Sequence, residues 1–384
     1  MRKFFHLTAA AAAVLLFSAC ADRAEALMNG PCSQCHTMHN SQDNQPMRYG
    51  GTSSEPLPQL LRGDCYGCHA MGVNQALFPM GVDVIPQVYH TDTVDLAGGN
   101  FKYVETADAN GHNISDLWSV GSDAALNYAP PGGFKDTTGM SGDGHPGDVF
   151  SATEPLKCAG TRGCHGNRNS GLSGYEGING AHHNNKNLAV DQPSTNIEPG
   201  QGYRFLLGVK GYEDTDWQYT KGAGDHNEYA GRTAPTQLDC SVTTCHTTGG
   251  IRPANGTMSE YCATCHGNFH TLSVGLGNDT LGNSAGIGTG AHPFLRHPSD
   301  LSIPATGDYA NYTNYLTITP VARIGAPVGV SATVTPGTDA VFCLSCHVAH
   351  GSPYPDMLKW DYTTMQVGTG ASNGTGCFAC HRSK

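Results

Sequence analysis

Apolar positions along this chain come in short, broken runs. The longest, Leu7 to Phe17, follows the basic pair Arg2 and Lys3 and precedes small residues, which is the layout of a secretory signal over residues 1–26. Beyond residue 20 no stretch reaches the run of about 18 apolar residues that a membrane helix needs. From Leu316 to Val334 apolar and polar positions alternate well enough to predict a hairpin. Gly275 to Gly290 reads as a glycine-rich loop without a preceding strand or a phosphate-binding lysine, and Asp108 to Gly111 reads as a turn. A calcium loop there is disfavoured, because Thr106 and Leu117 stand where the acidic first and twelfth ligands belong. Long regular helices are not expected, since 50 glycines and 22 prolines in 384 residues interrupt every candidate.

Composition sharpens this picture. Aromatic residues make up 8% and tryptophan only three positions, so large side chains are too few to fill a core for a chain of this length. Lys+Arg number 21 against Asp+Glu 32, a net charge of -11 that argues against nucleic acid as a partner. Two export routes compete. Ala24-Glu25-Ala26 would start the mature chain at Leu27, whereas Phe17-Ser18-Ala19-Cys20 is an imperfect lipobox that would place a lipid on Cys20. Either route sends the protein out of the cytoplasm, to the cell surface or beyond, or leaves it in the periplasm.

The outliers are 15 cysteines and 19 histidines. With Cys20 set aside, the cysteines form seven pairs, each followed directly by histidine. Five have the short spacing: Cys32/Cys35/His36, Cys65/Cys68/His69, Cys262/Cys265/His266, Cys343/Cys346/His347 and Cys377/Cys380/His381. Two are stretched, Cys158/Cys164/His165 and Cys240/Cys245/His246. A disulfide framework or zinc sites would account for paired cysteines, but neither accounts for a histidine after every pair. Covalent haem c does: two thiols add to the two vinyl groups on one edge of the porphyrin, and the next residue turns its imidazole onto the iron. The expected fold class is therefore a multihaem cytochrome c, mostly coil and loops with short helices at the haem motifs and few strands, wrapped around a haem stack. Seven haems then replace the missing core. The motifs divide the mature chain into a two-haem N-terminal segment (27–100), a three-haem middle segment (101–272) and a two-haem C-terminal segment (273–384).

Eleven further histidines remain after residue 26: His39, His90, His112, His145, His182, His183, His226, His270, His292, His297 and His350. They suffice to give every iron a second imidazole. His39, His270 and His350 follow a proximal histidine by three or four residues, on the same side of a turn. None can bind the iron its neighbour holds, so each serves another haem or none.

Several stretches resemble the OmcS-type extracellular cytochromes of metal-reducing bacteria, within the wider group of doubled-motif cytochromes. They are Cys32 to His39, Gly111-His112-Asn113-Ile114, Gly256 to His266, Arg296-His297-Pro298 and Cys343 to His350. The resemblance implies bis-histidine haems in a row, polymerisation into filaments, and electron transfer to extracellular acceptors such as metal oxides. It implies that His39 ligates a haem of a neighbouring subunit and that His112, His270, His297 and His350 are distal ligands within the chain. His90 is a weaker match, and the seventh place falls to His182 or His183, with His145, His226 and His292 as further candidates. The familiar filament cytochrome has six haems, so the seventh motif is a departure. A small-oxyanion reductase would need an open axial position. With a histidine available for every iron, no enzymatic activity is expected.

Overall fold

The computed structural model describes residues 30–49, 56–81, 83–117, 130, 131, 150, 153, 155–168, 171, 172, 174–178, 182, 203–233, 246, 247, 250, 251, 253, 255–266, 297–367 and 374–382. Regular structure is sparse. Among the described residues, three short α-helices, α1 (Cys32–Cys35), α2 (Cys65–His69) and α3 (Met258–Ala263), all fall on haem motifs. One-turn 3-10 helices cover two more, Cys343–Ser345 and Gly376–Ala379. Each is kept short by its position: α2 starts where Asp64 accepts from the Gly67 amide, and α3 where the Thr257 hydroxyl accepts from the Glu260 amide. Coil joins them, as the composition requires. No helix among the described residues is long and apolar enough to cross a membrane.

The largest sheet has five short strands: β1 (Gly211–Tyr212), β2 (Glu228–Gly231), β3 (Leu301–Ser302), β4 (Ala322–Ile324) and β5 (Ala340–Val341), in the order β3-β5-β4-β2-β1. β4 runs parallel to β2, and the other neighbours are antiparallel. The predicted Leu316 to Val334 hairpin is not formed. Its alternation belongs to β4, whose strand partners are β2, far back in the sequence, and β5, beyond Val334, and only an isolated bridge joins Asn314 to Thr333. What draws β4 to β2 is a buried ion pair. The fully buried Glu228 takes two hydrogen bonds from the Arg323 guanidinium, at 2.7 and 3.1 Å, and one from the Ser331 amide at 2.7 Å. Arg323 also reaches Asp339 on the chain leading into β5. The Asp108 turn is present as a 3-10 turn, Asp108–Asn110, and the Gly275 to Gly290 loop lies outside the described residues.

Apolar packing is divided into small clusters, each ending at haem-attachment cysteines. Tyr203, Val209, Tyr229, Met258, Tyr261 and Phe342 pack with Cys164 and Cys262. Ile303, Tyr312, Tyr315 and Val321 pack with Cys380, and Phe101, Val104, Ile114 and Leu117 pack with Cys158. Clusters of this size bury too little surface to hold a chain of this length. The cysteines at their edges mark where a further apolar body completes them.

The Glu228 cluster yields a stability test. Glu228→Ala leaves the Arg323 charge half-compensated inside the sheet and should destabilise the haem-loaded protein by roughly 3 kcal/mol. A denaturant midpoint equal to wild type would show that the ion pair does not hold β2 and β4 together.

Candidate functional site

Each short motif is one tight turn. The amide of His36 bonds the Cys32 carbonyl at 2.8 Å, and those of His266, His347 and His381 bond the Cys262, Cys343 and Cys377 carbonyls at 2.9, 3.1 and 3.0 Å. Both thiols thus leave one side of the turn, with the histidine following directly. The stretched Cys158/Cys164 motif solves the same problem differently. Lys157–Ala159 and Gly163–His165 pair as parallel strands, and the three extra residues loop out through Gly160, whose φ of 86° suits glycine. The strands approach so closely at Gly163 that a side chain would meet the Ala159 backbone.

The histidines are held in one tautomer. In His36, His69, His165, His266 and His347, Nδ1 lies 2.6 to 3.0 Å from a backbone carbonyl: Gln59, Pro86, Arg204, Pro131 and Asp356 respectively. His112 does the same with Ala349 at 2.7 Å, and His297 with Pro298 at 3.0 Å. A carbonyl can only accept, so Nδ1 carries the proton and the Nε2 lone pair is left for a metal. Three of these carbonyls belong to the same device: Pro58-Gln59-Leu60-Leu61, Tyr203-Arg204-Phe205-Leu206 and Pro355-Asp356-Met357-Leu358. In each, the two central residues are left-handed, with φ between 50° and 59°. The first of the two presents its carbonyl to the proximal histidine. Two consecutive left-handed residues other than glycine are unfavourable, and they recur here behind a ligand. Sequence reasoning missed them, although a repeated tetrapeptide ending in leucine was visible.

Among the described residues, four pairs of imidazoles face one another at nearly constant separation. Ring centroids lie 6.3 Å apart for His69 and His182, 6.3 Å for His165 and His350, 6.1 Å for His112 and His266, and 6.2 Å for His297 and His381. Their interplanar angles range from 31° to 89°, so direct ring stacking does not set the distance. The separation is what two metal–nitrogen bonds of about 2 Å each and the near halves of two rings would require. Each pair joins one proximal histidine to one candidate distal histidine. His350 is fixed by stacking on Phe101 at 4.6 Å and by Gly98, which lies flat against its ring. At Gly99 and Gly111 the chain passes so close to Gly351 that any side chain would collide, and this crossing carries His350 inward. Burial pushes His350 down to about 3, helped by His165 and His112 nearby, and His266 down to about 4. His69, His112, His165 and His347 are lowered by the same cause. All are neutral imidazoles, as ligation requires.

Among the described residues, no group of three or more His, Cys, Asp or Glu side chains could hold a bare metal ion. An iron between two imidazoles must bring its other ligands with it, as a porphyrin does. Haem c fits this donor set: opposed imidazoles with free Nε2 atoms, and cysteine pairs beside one member of each.

The six described attachment sites adjoin one another in sequence order, with Cys240/Cys245, outside the described residues, falling between Cys158/Cys164 and Cys262/Cys265 in the chain. Cys65 and Cys158 are within hydrogen-bonding reach, as are Cys262 and Cys343. Cys35 lies near Cys68, Cys164 near Cys265, and Cys346 near Cys377, close enough for one thiol to oppose ionisation of the next. Each interior motif of the six described ones thus touches the described motif before it through one cysteine and the described motif after it through the other.

Other candidates are placed differently. His226 is a core residue: Nδ1 bonds the Gly222 carbonyl, Nε2 lies 3.2 Å from Glu228, and the ring stacks on Tyr315 at 3.7 Å. His90, counted with the ligands from the sequence, is fully buried with Nδ1 against the Asn100 amide nitrogen at 3.4 Å and Nε2 3.8 Å from Asp95. That Nε2 has no hydrogen-bond partner among the described residues, and no described imidazole faces it. His39 is exposed, beside Met38, which is 76% exposed. No imidazole faces His347 among the described residues. Cys240, Cys245, His145, His183, His270 and His292 lie outside the described residues, and of His246 only the backbone is described, in a strand paired with Gly250–Ile251.

These features fit a chain that carries covalently bound haem c, as c-type cytochromes do. The profile of the family described as "Doubled CXXCH motif" matches residues 335–384. Over 95% of its length the chain is 26% identical to the C-type cytochrome OmcS of Geobacter sulfurreducens, 88% of which is covered. Two solved structures also align: the Outer Membrane Cytochrome S filament of Geobacter sulfurreducens (TM-score 0.44, 20% identity, 88% of this chain and 85% of that) and the OmcS nanowires of the same organism (0.41, 22%, 87% and 84%).

The opposed pairs predict the effect of removing one ring. His350→Ala should convert a single haem, the one on His165, from low-spin to high-spin ferric, read by electron paramagnetic resonance. His226→Ala and His90→Ala should leave the low-spin signal intact. A new high-spin signal in either would return that histidine to the list of ligands.

Proposed function

We propose that this chain is a heptahaem c-type cytochrome that moves electrons over long distances outside the cell and takes no part in substrate chemistry. The observation that carries this reading is the single file of attachment cysteines, flanked by four imidazole pairs of nearly equal separation. Haem, when bound, supplies a one-electron couple between ferric and ferrous iron. The protein's part is positional. Cys32/Cys35, Cys65/Cys68, Cys158/Cys164, Cys240/Cys245, Cys262/Cys265, Cys343/Cys346 and Cys377/Cys380 anchor the edges. His36, His69, His165, His246, His266, His347 and His381 hold the near axial positions. His182, His350, His112 and His297 would ligate from the far side at four sites and leave no axial position there for another ligand. A site closed on both faces offers no position for an oxyanion substrate, which disfavours the reductase alternative. Intact mass of the secreted protein should correspond to seven covalent haems. Six would show that a stretched motif, Cys240/Cys245 or Cys158/Cys164, does not hold one by both thiols.

The relative OmcS is named from filaments and nanowires, and two features support the same assembly here. His39 is exposed three residues after His36, whose iron it cannot share. His347 has no imidazole facing it among the described residues, although its Nδ1 is bonded to Asp356 and its Nε2 is free to ligate. His39 of one subunit then completes the His347 site of the next. Such a head-to-tail contact extends indefinitely unless its rotation closes a ring. The resulting polymer carries electrons to extracellular acceptors such as metal oxides or to other multihaem cytochromes. His39→Ala should yield monomers or short oligomers and one high-spin haem per chain, by electron microscopy and spectroscopy. Long polymers with an unchanged low-spin spectrum would make His39 a bystander, and failure of the unmutated protein to polymerise would leave a monomeric surface or periplasmic carrier.

A further inference from the structure

Position three after the proximal histidine points away from its own site. In two motifs it is occupied by histidine, His39 and His350, and His350 does serve another motif's iron position, opposite His165. In the Cys158/Cys164 motif the same slot holds Arg168. Its side chain crosses to the Cys262/Cys265 motif. Nη1 donates to the Thr264 hydroxyl at 2.9 Å, Nη2 lies 3.6 Å from the Cys265 sulfur, and the guanidinium sits over the Tyr261 ring at 5.1 Å. Tyr261 in turn donates its hydroxyl proton to the Cys164 carbonyl. Arg168 therefore stands between the cysteine edges of two adjoining described sites.

The environment of that charge is unusual. Arg168 is 3% exposed, and no Asp or Glu carboxylate pairs with it among the described residues. Its Nε is buried without any hydrogen-bond partner. A guanidinium cannot shed its proton to escape burial, and a buried charge without a counter-ion is strongly unfavourable. The thiols beside it become neutral thioethers once haem is attached, so they provide no compensation. A fixed positive charge in a poorly screened interior stabilises whatever nearby state carries less positive charge. Reduction of ferric to ferrous iron adds one electron and removes one positive charge from each site, so it is the change Arg168 favours.

We propose that Arg168 sets the reduction potentials at this junction, holding the sites at Cys158/Cys164 and Cys262/Cys265 above the level their bis-histidine ligation alone would give. The middle of the row is then its easiest part to reduce, and an electron entering from either end is drawn toward it. This inference rests on the reading that both motifs carry haem.

Spectroelectrochemical titration of the secreted holoprotein tests it, with an electrode supplying the electrons. Arg168→Met removes the charge at similar volume, Arg168→Gln removes it while keeping a donor for Thr264, and Arg168→Lys keeps it. The haem titration curves of the Met and Gln variants should shift to lower potential over the fraction of absorbance belonging to two haems, with the remainder unmoved. The Lys variant should follow wild type. Intact mass is measured on every sample, because loss of haem from either motif in the wild-type protein would defeat the functional reading. Should Arg168→Met not load haem, the Gln and Lys variants decide the matter. With full haem content, curves for Arg168→Gln that superimpose on wild type, or a Lys variant that shifts with it, overturn the proposal.

Discussion

The structure depends on one repeated hydrogen bond, from the Nδ1 proton of an imidazole to a backbone carbonyl. It fixes the plane of the ring and the tautomer together, and so decides which nitrogen faces inward. Much of the irregular chain is arranged to supply the acceptor. The left-handed turns at Gln59, Arg204 and Asp356 accept an unfavourable backbone conformation in order to aim a carbonyl at His36, His165 and His347. Where the carbonyl comes from far along the chain, as with Ala349 behind His112, the same bond ties the middle of the sequence to its end.

This arrangement explains how so little secondary structure suffices. A helix or a broad sheet spends its backbone donors and acceptors on itself, whereas this chain needs carbonyls free for ring nitrogens and cysteines spaced along a line. The five-stranded sheet is an exception that proves useful at one end only. The Glu228 and Arg323 pair welds strands from the middle and the C-terminal segment, and His226 is spent on the same cluster. The apolar clusters are small and open toward attachment cysteines, so the haems are structural as well as electronic: they finish the core that the aromatic residues begin.

How much of this was legible beforehand follows from what is local. The cysteine pairs and their histidines are chemistry written in adjacent residues, and the absence of long helices follows from glycine and proline. The rule that a histidine three residues on must serve another site is geometric, and His350 obeys it. Which site it serves depends on the crossing of glycines 99, 111 and 351, a tertiary contact with no local signal. His90 and His226 look like ligands to any count of histidines. What separates them from the paired histidines is tertiary: Glu228 takes up a ring nitrogen of His226, and no described imidazole faces His90. The hairpin expected near Leu316 failed for a related reason, since alternation reports a half-buried strand and says nothing of its partner. Arg168 carried no motif, and its role emerged from what does not stand beside it.

The central claim is that the opposed imidazoles bracket haem iron in an order set by the cysteine row. A cryo-electron density map of the secreted protein tests it most directly. The account predicts a planar density between each of the four pairs, His69 and His182, His165 and His350, His112 and His266, His297 and His381, with thioether links to the cysteines preceding the proximal member of each pair and the planes succeeding one another in chain order. A map in which any of those gaps is empty, or in which the motif cysteines are joined as disulfides, would contradict it.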